Sequence, residues 1–380
     1  MKIMFSAGEA SGDMHGANLA RALKELDPEV ELLGMGGSRM AEAGVRIVYD
    51  IKNLGFIGVG EIIRKIPFFF RLRDFLLETM RKEKPDVLVC IDYPGFNMRL
   101  IKKAREAGIR VIYYILPTIW AWHKSRGKVI AENTDLAISL FPFEARLYEQ
   151  IGTHVAYAGH PLIDTVHPSM TREEAIRTFG LDESKRTILL MPGSRLQEVR
   201  SLLPVMLDAA AIIAEQIPDV QFLLPEASTI DRSLLESLIP QDGPAVHIAA
   251  EGVYDMMHIS TAAVAASGTA TLETALMGLP TLLIYRVGNL TYWLSKVLVH
   301  IKSIGLPNII MGHRIMPELW QNEVTPEAIA RDMIHLLTDE QAWQKRHEAM
   351  LAVRREMGEP GAVRRTAATI LQFVKENSTA

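Results

Sequence analysis

The chain holds a single cysteine, Cys90, among 380 residues, so an intrachain disulfide is excluded. Cys90 lies inside the apolar run Val87 to Ile91, where a buried and inert thiol is the expectation, and this thiol economy suits a reducing cytosol. An excess of one charge is also missing: 41 basic residues against 45 acidic ones leave a formal charge of -4. A surface that grips nucleic acid throughout is therefore excluded, and any anion must be held locally. No Asp-x-Asp pair, no His-Glu-x-x-His and no paired-cysteine motif occurs, so no metal site is expected. Long apolar runs are lacking too. Glu9 interrupts the first apolar stretch before a signal peptide could be completed. Uncharged windows such as His258 to Leu272 carry Gly, Ser and Thr and fall short of the ~20 apolar residues of a spanning helix, so no crossing of a membrane is expected.

What is present is ordinary globular material, 48% hydrophobic and 23% charged, with 26 Gly and 19 Pro spread along the chain, which excludes disorder, collagen and coiled coil. Its length favours two domains. Short apolar runs alternate with helix-period segments, the pattern of parallel strands covered by helices, and this predicts an α/β architecture. Strands are expected near residues 2–6, 31–34, 46–49, 86–91, 110–116, 136–140 and 155–158, with helices such as Met14 to Leu26 and Phe96 to Ala107 between them. The alternation restarts with strands near 187–191, 220–224, 245–249, 262–266 and 281–285, so two similar folds in tandem are predicted. A hinge is expected within Gly159 to Pro168, and the pattern turns almost purely helical from Thr325 until Pro360-Gly361 breaks it before a last helix. The expected division is 1–165, 166–355 and a C-terminal helix in 356–380 that crosses back to the first domain or docks on another subunit.

Ligands of parallel sheets sit beyond the carboxyl ends of the strands, which directs attention to the loops there. Gly8-Glu-Ala-Ser-Gly-Asp13 follows the first strand; its glycines permit close backbone approach, Glu9, Ser11 and Asp13 are candidate substrate contacts, and Asp13 could equally cap the next helix. It is neither the G-x-G-x-x-G dinucleotide fingerprint nor a Walker loop. In Cys90-Ile-Asp92-Tyr-Pro-Gly-Phe-Asn97 an apolar strand ends in a carboxylate, and Asp92 there could take the proton of an attacking hydroxyl or merely cap a helix. Pro117 to Arg126 sets Trp122 and His123 where they could stack on a sugar, although loop tryptophans also serve as packing wedges. Gly193 and Ser194 expose backbone amides beside Arg195, whose fork can clamp phosphate oxygens. Ser267, Gly268 and Thr269 open a helix with free amides for a diphosphate, and Glu273 farther along could reach a ribose.

Two stretches are unusually apolar. Glu61 to Leu77 sets Phe68, Phe69 and Phe70 among Arg64, Lys65, Arg71 and Arg73, the makeup of an interfacial helix on an anionic bilayer. Partial exposure is expected, since three adjacent phenylalanines cannot share one helix face. Tyr292 to Ile301 is a second candidate, for which packing against a sheet is the simpler reading.

The motifs GEASGD, IDYPGFN, PTIWAWHKSR, AGHPL, MPGSR, SGTATLE and Gly305-Leu-Pro-Asn308, in this order from Gly8 to about Gln321, resemble those of the lipid-A-disaccharide synthases. The resemblance implies an inverting glycosyltransferase of GT-B type, with two Rossmann-like domains whose parallel sheets face each other across a cleft. It further implies transfer from UDP-2,3-diacylglucosamine to 2,3-diacylglucosamine 1-phosphate in a β-1,6 linkage, release of UDP, and no cofactor. The expected location is cytoplasmic, peripheral to the inner face of the Gram-negative inner membrane, as a homodimer that exchanges C-terminal segments. By position, Asp92 matches the family's candidate base, Arg195 its phosphate-contacting arginine, Ser267 to Glu273 its nucleotide-binding helix start, and Asn308 a segment of its nucleotide side. Where family members often carry Asp, this chain has Gly95, so no acid-base role is assigned there. A UDP-N-acetylglucosamine 2-epimerase-like enzyme and a non-catalytic nucleotide-sugar or lipid binding protein are the rival readings.

Overall fold

The computed structural model describes residues 1–54, 62–119, 124–286 and 303–378. They form two compact units, Met1–Pro161 with Glu359–Ala380, and Leu162–Gly358.

In the first unit, β1 (Lys2–Ala7), β2 (Glu31–Gly36), β3 (Arg46–Asp50), β4 (Val87–Ile91), β5 (Val111–Tyr114), β6 (Leu136–Ser139) and β7 (Val155–Tyr157) form one sheet in the order β3-β2-β1-β4-β5-β6-β7. All its pairs are parallel. Its helices are α1 (Ala10–Leu26), α2 (Ser38–Glu42), α3 (Ile62–Glu83), α4 (Pro94–Glu106), α5 (Lys124–Asn133) and α6 (Pro142–Gln150). Successive strand residues serve opposite faces, as the period of two requires. Ile3, Phe5, Val87 and Val89 pack with Ala17, Leu23 and the C-terminal helix Ala362–Ser378, whose Ile370, Leu371 and Val374 are buried there. Met4, Leu88, Cys90 and Tyr113 pack on the other side with Leu72 and Leu76 of α3 and Leu100 of α4. Burial pushes the Cys90 thiol up, so it is inert.

The second unit repeats the plan. Its helices start with α7 (Leu162–Thr165), α8 (Arg172–Thr178), α9 (Leu196–Gln216), α10 (Arg232–Leu238), α11 (Val253–Ile259) and α12 (Thr269–Leu276). Its strands β8 (Arg186–Met191), β9 (Val220–Pro225), β10 (Val246–Ala249), β11 (Ala262–Ala266), β12 (Thr281–Tyr285) and β13 (Glu318–Trp320) lie in the order β10-β9-β8-β11-β12-β13, again parallel. Helices Leu306–Met311, Pro326–Thr338 and Glu340–Glu356 complete it. Among the described residues, no helix is long and apolar enough to cross a membrane.

Every strand expected from the sequence is present, and β13 is an addition. It is only three residues long and begins with Glu318, which is buried and accepts hydrogen bonds from Ile304 and Gly305 N–H, so it has no apolar run to mark it. Helix α1 begins at Ala10 rather than near Met14. Its glycines are small for packing: a Cβ on Gly16 would lie 2.6 Å from Met40 Sδ.

Candidate active site

In both sheets the strand order reverses once, between β1 and β4 in the first unit and between β8 and β11 in the second. Such switch points open a crevice at the strands' carboxyl ends, because the following helices leave to opposite faces. The singled-out loops 8–13, 92–97, 192–195 and 267–269 all follow these four strands.

At the first switch point β4 ends in a strained turn. Asp92 and Tyr93 take φ of 47° and 51°, left-handed backbone that costs non-glycine residues about 1–3 kcal/mol each. Tyr93, not Asp92, is the N-cap residue of α4, so the simple capping role considered for Asp92 is not what the structure shows. The backbone of Asp92 is held instead: its N–H donates to Tyr114 O at 3.0 Å, and its carbonyl accepts from Tyr113 Oη and Asn97 Nδ2, each at 2.8 Å. The half-buried Asp92 carboxyl is raised above the usual carboxylate range, first by burial, then by the nearby charge of Glu9, against a pull downward from the Tyr93 N–H. A carboxylate of raised basicity at a ligand crevice is suited to accept a proton.

Glu9 and Ser11 are exposed, Glu9 as the N-cap residue of α1 and Ser11 in its first turn. Gly8 lies under the Tyr93 ring, where an added Cβ would sit 2.0 Å from the ring, so the two switch-point loops interlock only without a side chain there. Asp13 is a correction. It does not cap its own helix; its buried carboxylate accepts from the N–H groups of Gly37 at 2.7 Å, Arg39 at 3.1 Å and Met40 at 3.1 Å, and so caps α2. These three bonds and its burial, at 5% exposure, commit the Asp13 carboxylate to the α2 backbone rather than to a ligand.

At the second switch point Gly193 adopts φ of 105°, and a Cβ on it would meet Glu198 Oε2 at 2.3 Å. Ser194 is exposed, its carbonyl accepting from Thr229 Oγ1 at 2.5 Å. Arg195, with 82% of its side chain exposed, pairs with Glu198 at 2.8 Å at the start of α9. An ion pair so open to water contributes little, so its guanidinium is available to an arriving phosphate. Across β11, Gly268 is the N-cap residue of α12 and Thr269 its first residue, both exposed, with the unpaired first-turn amides inherent to a helix start. The Ser267 N–H is engaged with Ile284 O at 3.3 Å, which leaves Gly268 and Thr269 as the main donors to an anion. Glu273 accepts from Tyr254 Oη of α11 at 3.1 Å, and burial raises its carboxyl.

Asn308 is a second correction. It is 2% exposed; its Nδ2 donates to Met316 O and Glu318 Oε1, and its Oδ1 accepts from Ile315 and Met316 N–H. With both ends of its amide committed, it shapes the loop before β13 and has no hydrogen-bonding capacity left for a nucleotide. Trp122, His123 and the stretch Tyr292 to Ile301 lie outside the described residues. Among the described residues, no cluster of His, Cys, Asp and Glu could hold a metal ion.

Sequence reasoning passed over three residues beside Asp92: Asn97, Tyr113 and Glu144. Asn97 is fully buried, its Oδ1 accepting from Ser6 Oγ at 2.6 Å. Its place in the quoted IDYPGFN motif was the available signal. Glu144, in the first turn of α6, is 4% exposed, bonded to Ser139 Oγ at 2.7 Å and pushed up to about 7, chiefly by burial, with the charge of Asp92 adding to it. Nothing in its local sequence marks that burial.

Residues 3–373 match the family described as lipid-A-disaccharide synthetase. The lipid-A-disaccharide synthase of Geobacter sulfurreducens is 40% identical over 373 residues, covering 98% of this chain and 97% of its own. By fold, the chain is similar to a putative UDP-N-acetylglucosamine 2-epimerase from Listeria monocytogenes, with a TM-score of 0.68 at 15% identity, covering 99% and 97% of the two chains. It is also similar to MurG of Acinetobacter baumannii, a GT-B glycosyltransferase, with a TM-score of 0.59 at 13% identity and coverage of 98% and 99%. At such identities the structural likenesses establish the fold alone, two Rossmann-like units of GT-B type. The sequence match goes further: this chain belongs to the lipid-A-disaccharide synthase family.

Proposed function

We propose that this protein is an inverting, metal-independent glycosyltransferase that joins UDP-2,3-diacylglucosamine to 2,3-diacylglucosamine 1-phosphate and releases UDP, forming the β-1,6 disaccharide of lipid A. The observation that carries the reading is the strained, half-buried Asp92 turn at the β1/β4 switch point of a chain of this family. Asp92 takes the proton of the acceptor's 6-hydroxyl as that oxygen bonds to the donor's anomeric carbon. The bond from that carbon to the diphosphate breaks on the opposite face, and UDP leaves with the electron pair, which inverts the centre. Arg195 and the amides of Gly193, Ser194, Gly268 and Thr269 hold the diphosphate and meet the growing charge, and Glu273 binds the ribose.

The acceptor carries acyl chains, and α3 offers a surface to match. Phe70 and Phe75 are 45% and 43% exposed, beside exposed Arg71 and with the Arg73 guanidinium 5.0 Å from the Phe70 ring. This composition supports peripheral docking on the inner face of the inner membrane. Assembly as a homodimer belongs to the same proposal.

The test is to incubate the pure protein with UDP-diacylglucosamine, with and without the monosaccharide phosphate, in EDTA, and to follow products by mass spectrometry. Disaccharide is expected only with both substrates, and isomerised donor without acceptor would instead identify an epimerase. Asp92→Asn is expected to bind UDP normally and turn over about 10²- to 10⁴-fold more slowly. Near-full turnover in that variant would remove Asp92 from the mechanism.

A further inference from the structure

Left-handed backbone at two successive residues that are not glycine persists only where the surroundings over-determine it. At Asp92 and Tyr93 the restraint converges on one atom, the Asp92 carbonyl oxygen, which accepts from Tyr113 Oη and from Asn97 Nδ2 at 2.8 Å each. Neither donor is a ladder or helix bond. Tyr113 is a fully buried β5 residue whose hydroxyl reaches across to the end of β4. Asn97 is oriented in turn by Ser6 at the end of β1, through Ser6 Oγ to Oδ1 at 2.6 Å and Nδ2 to Ser6 O at 3.1 Å. The ends of β1, β4 and β5 are thereby tied at one carbonyl.

We propose that Tyr113 and the Ser6–Asn97 pair are positioning residues for Asp92, clamping its carbonyl so that the left-handed turn keeps the carboxylate at the crevice of the switch point. The inference rests on the reading of Asp92 as the base. None of the three touches substrate; they act through the backbone of the residue that does. A reacting group displaced by about 1 Å loses up to roughly 100-fold in rate while binding is preserved, so the signature belongs in kcat and not in KM.

The charged and titratable groups facing Asp92 are Glu9 before α1, Tyr93 on its own turn, Tyr113 on β5 and Glu144 on α6, with Arg126 of α5 acting on Tyr113. Release of the turn moves the carboxylate from burial and from Glu9 toward water. It then ionises at lower pH, and the acid limb of the kcat profile shifts down with it.

The experiment compares wild type, Tyr113→Phe, Ser6→Ala and Asp92→Asn, with folding followed by circular dichroism melts. Tyr113→Phe is expected to lower kcat roughly 10- to 100-fold, with both substrates' KM within about twofold of wild type and the acid limb at lower pH. Ser6→Ala is expected to move kcat and the limb in the same direction by less, and it decides the matter by the same criterion should Tyr113→Phe fail to fold. Wild-type kcat and acid limb in the folded variants, beside an inactive Asp92→Asn, would overturn the positioning role and leave the base intact. An active Asp92→Asn would overturn the base itself, and the positioning role with it.

Discussion

Around Asp92 the informative residues are those whose chemistry the fold has altered. Glu144 ordinarily titrates near 4.5, and burial, opposed by its bond to Ser139 and reinforced by Asp92, pushes it up to about 7. Below about pH 4.5 the group is protonated in both folded and unfolded chains and costs nothing. As pH rises toward about 7 the unfolded chain ionises first, so stability is lost, by about 3 kcal/mol at 1.36 kcal/mol per unit. Glu144→Gln keeps the shape without the titration, so its melting temperature is expected to fall less than wild type's between about pH 5 and about pH 8; parallel curves would show that Glu144 ionises freely. Arg195 makes the opposite case. Its exposed pair with Glu198 is easily given up, and Arg195→Ala is expected to weaken UDP about 10-fold or more by calorimetry with the melting temperature unchanged. An unaltered dissociation constant would refute its role. Asp13 and Asn308 show why such assignments were only partly legible: a polar residue beside a loop reads alike in sequence whether its hydrogen bonds go to ligand or to backbone. Here the distances send both inward.

Among the elements, the strands were the most legible, because central parallel strands such as β4 and β11 are buried along their whole length and so stand out as unbroken apolar runs. Helix boundaries were less so. Small residues in 8–13 read as a loop, whereas close packing demands them: a Cβ on Gly12 would already lie 3.3 Å from Ala7 Cβ. In α3 the sequence foretold a mixed exposure without sorting the phenylalanines. Leu72, Leu76 and Met80 mark the inward stripe, and Phe68 and Phe69 join it. Phe70 and Phe75 fall outside it. Replacing only these two with Ser is expected to lower co-sedimentation with anionic vesicles and to lower the melting temperature by a few degrees while the chain stays folded, since each ring is still more than half buried and Phe75 lies 6.2 Å from the Tyr49 ring. Undiminished sedimentation would assign membrane contact elsewhere.

For the whole molecule, the notable feature is that one unit is assembled from two distant pieces of chain. The helix Ala362–Ser378 lies against α1, with Ala367, Ile370, Leu371 and Val374 buried in the core beneath β1 and β4. Arg365 Nε adds a bond to Ala158 O at 2.9 Å, just past β7. Burying three large aliphatic side chains contributes roughly 5–9 kcal/mol, comparable to the entire stability of a domain. Deletion of residues 359–380 is therefore expected to abolish the first unit's cooperative transition in calorimetry and spare the second's. Two undisturbed transitions would show that the helix is dispensable to the first unit. The arrangement also bears on biogenesis. Nascent chains usually settle domain by domain from the amino end as they leave the ribosome, but here the uninterrupted middle portion has all its parts while the leading portion still awaits its closing helix. Synthesis must then pass the helix Ala362–Ser378 before the amino-terminal Asp92 crevice gains its full support, which makes the order of maturation the reverse of the order of synthesis.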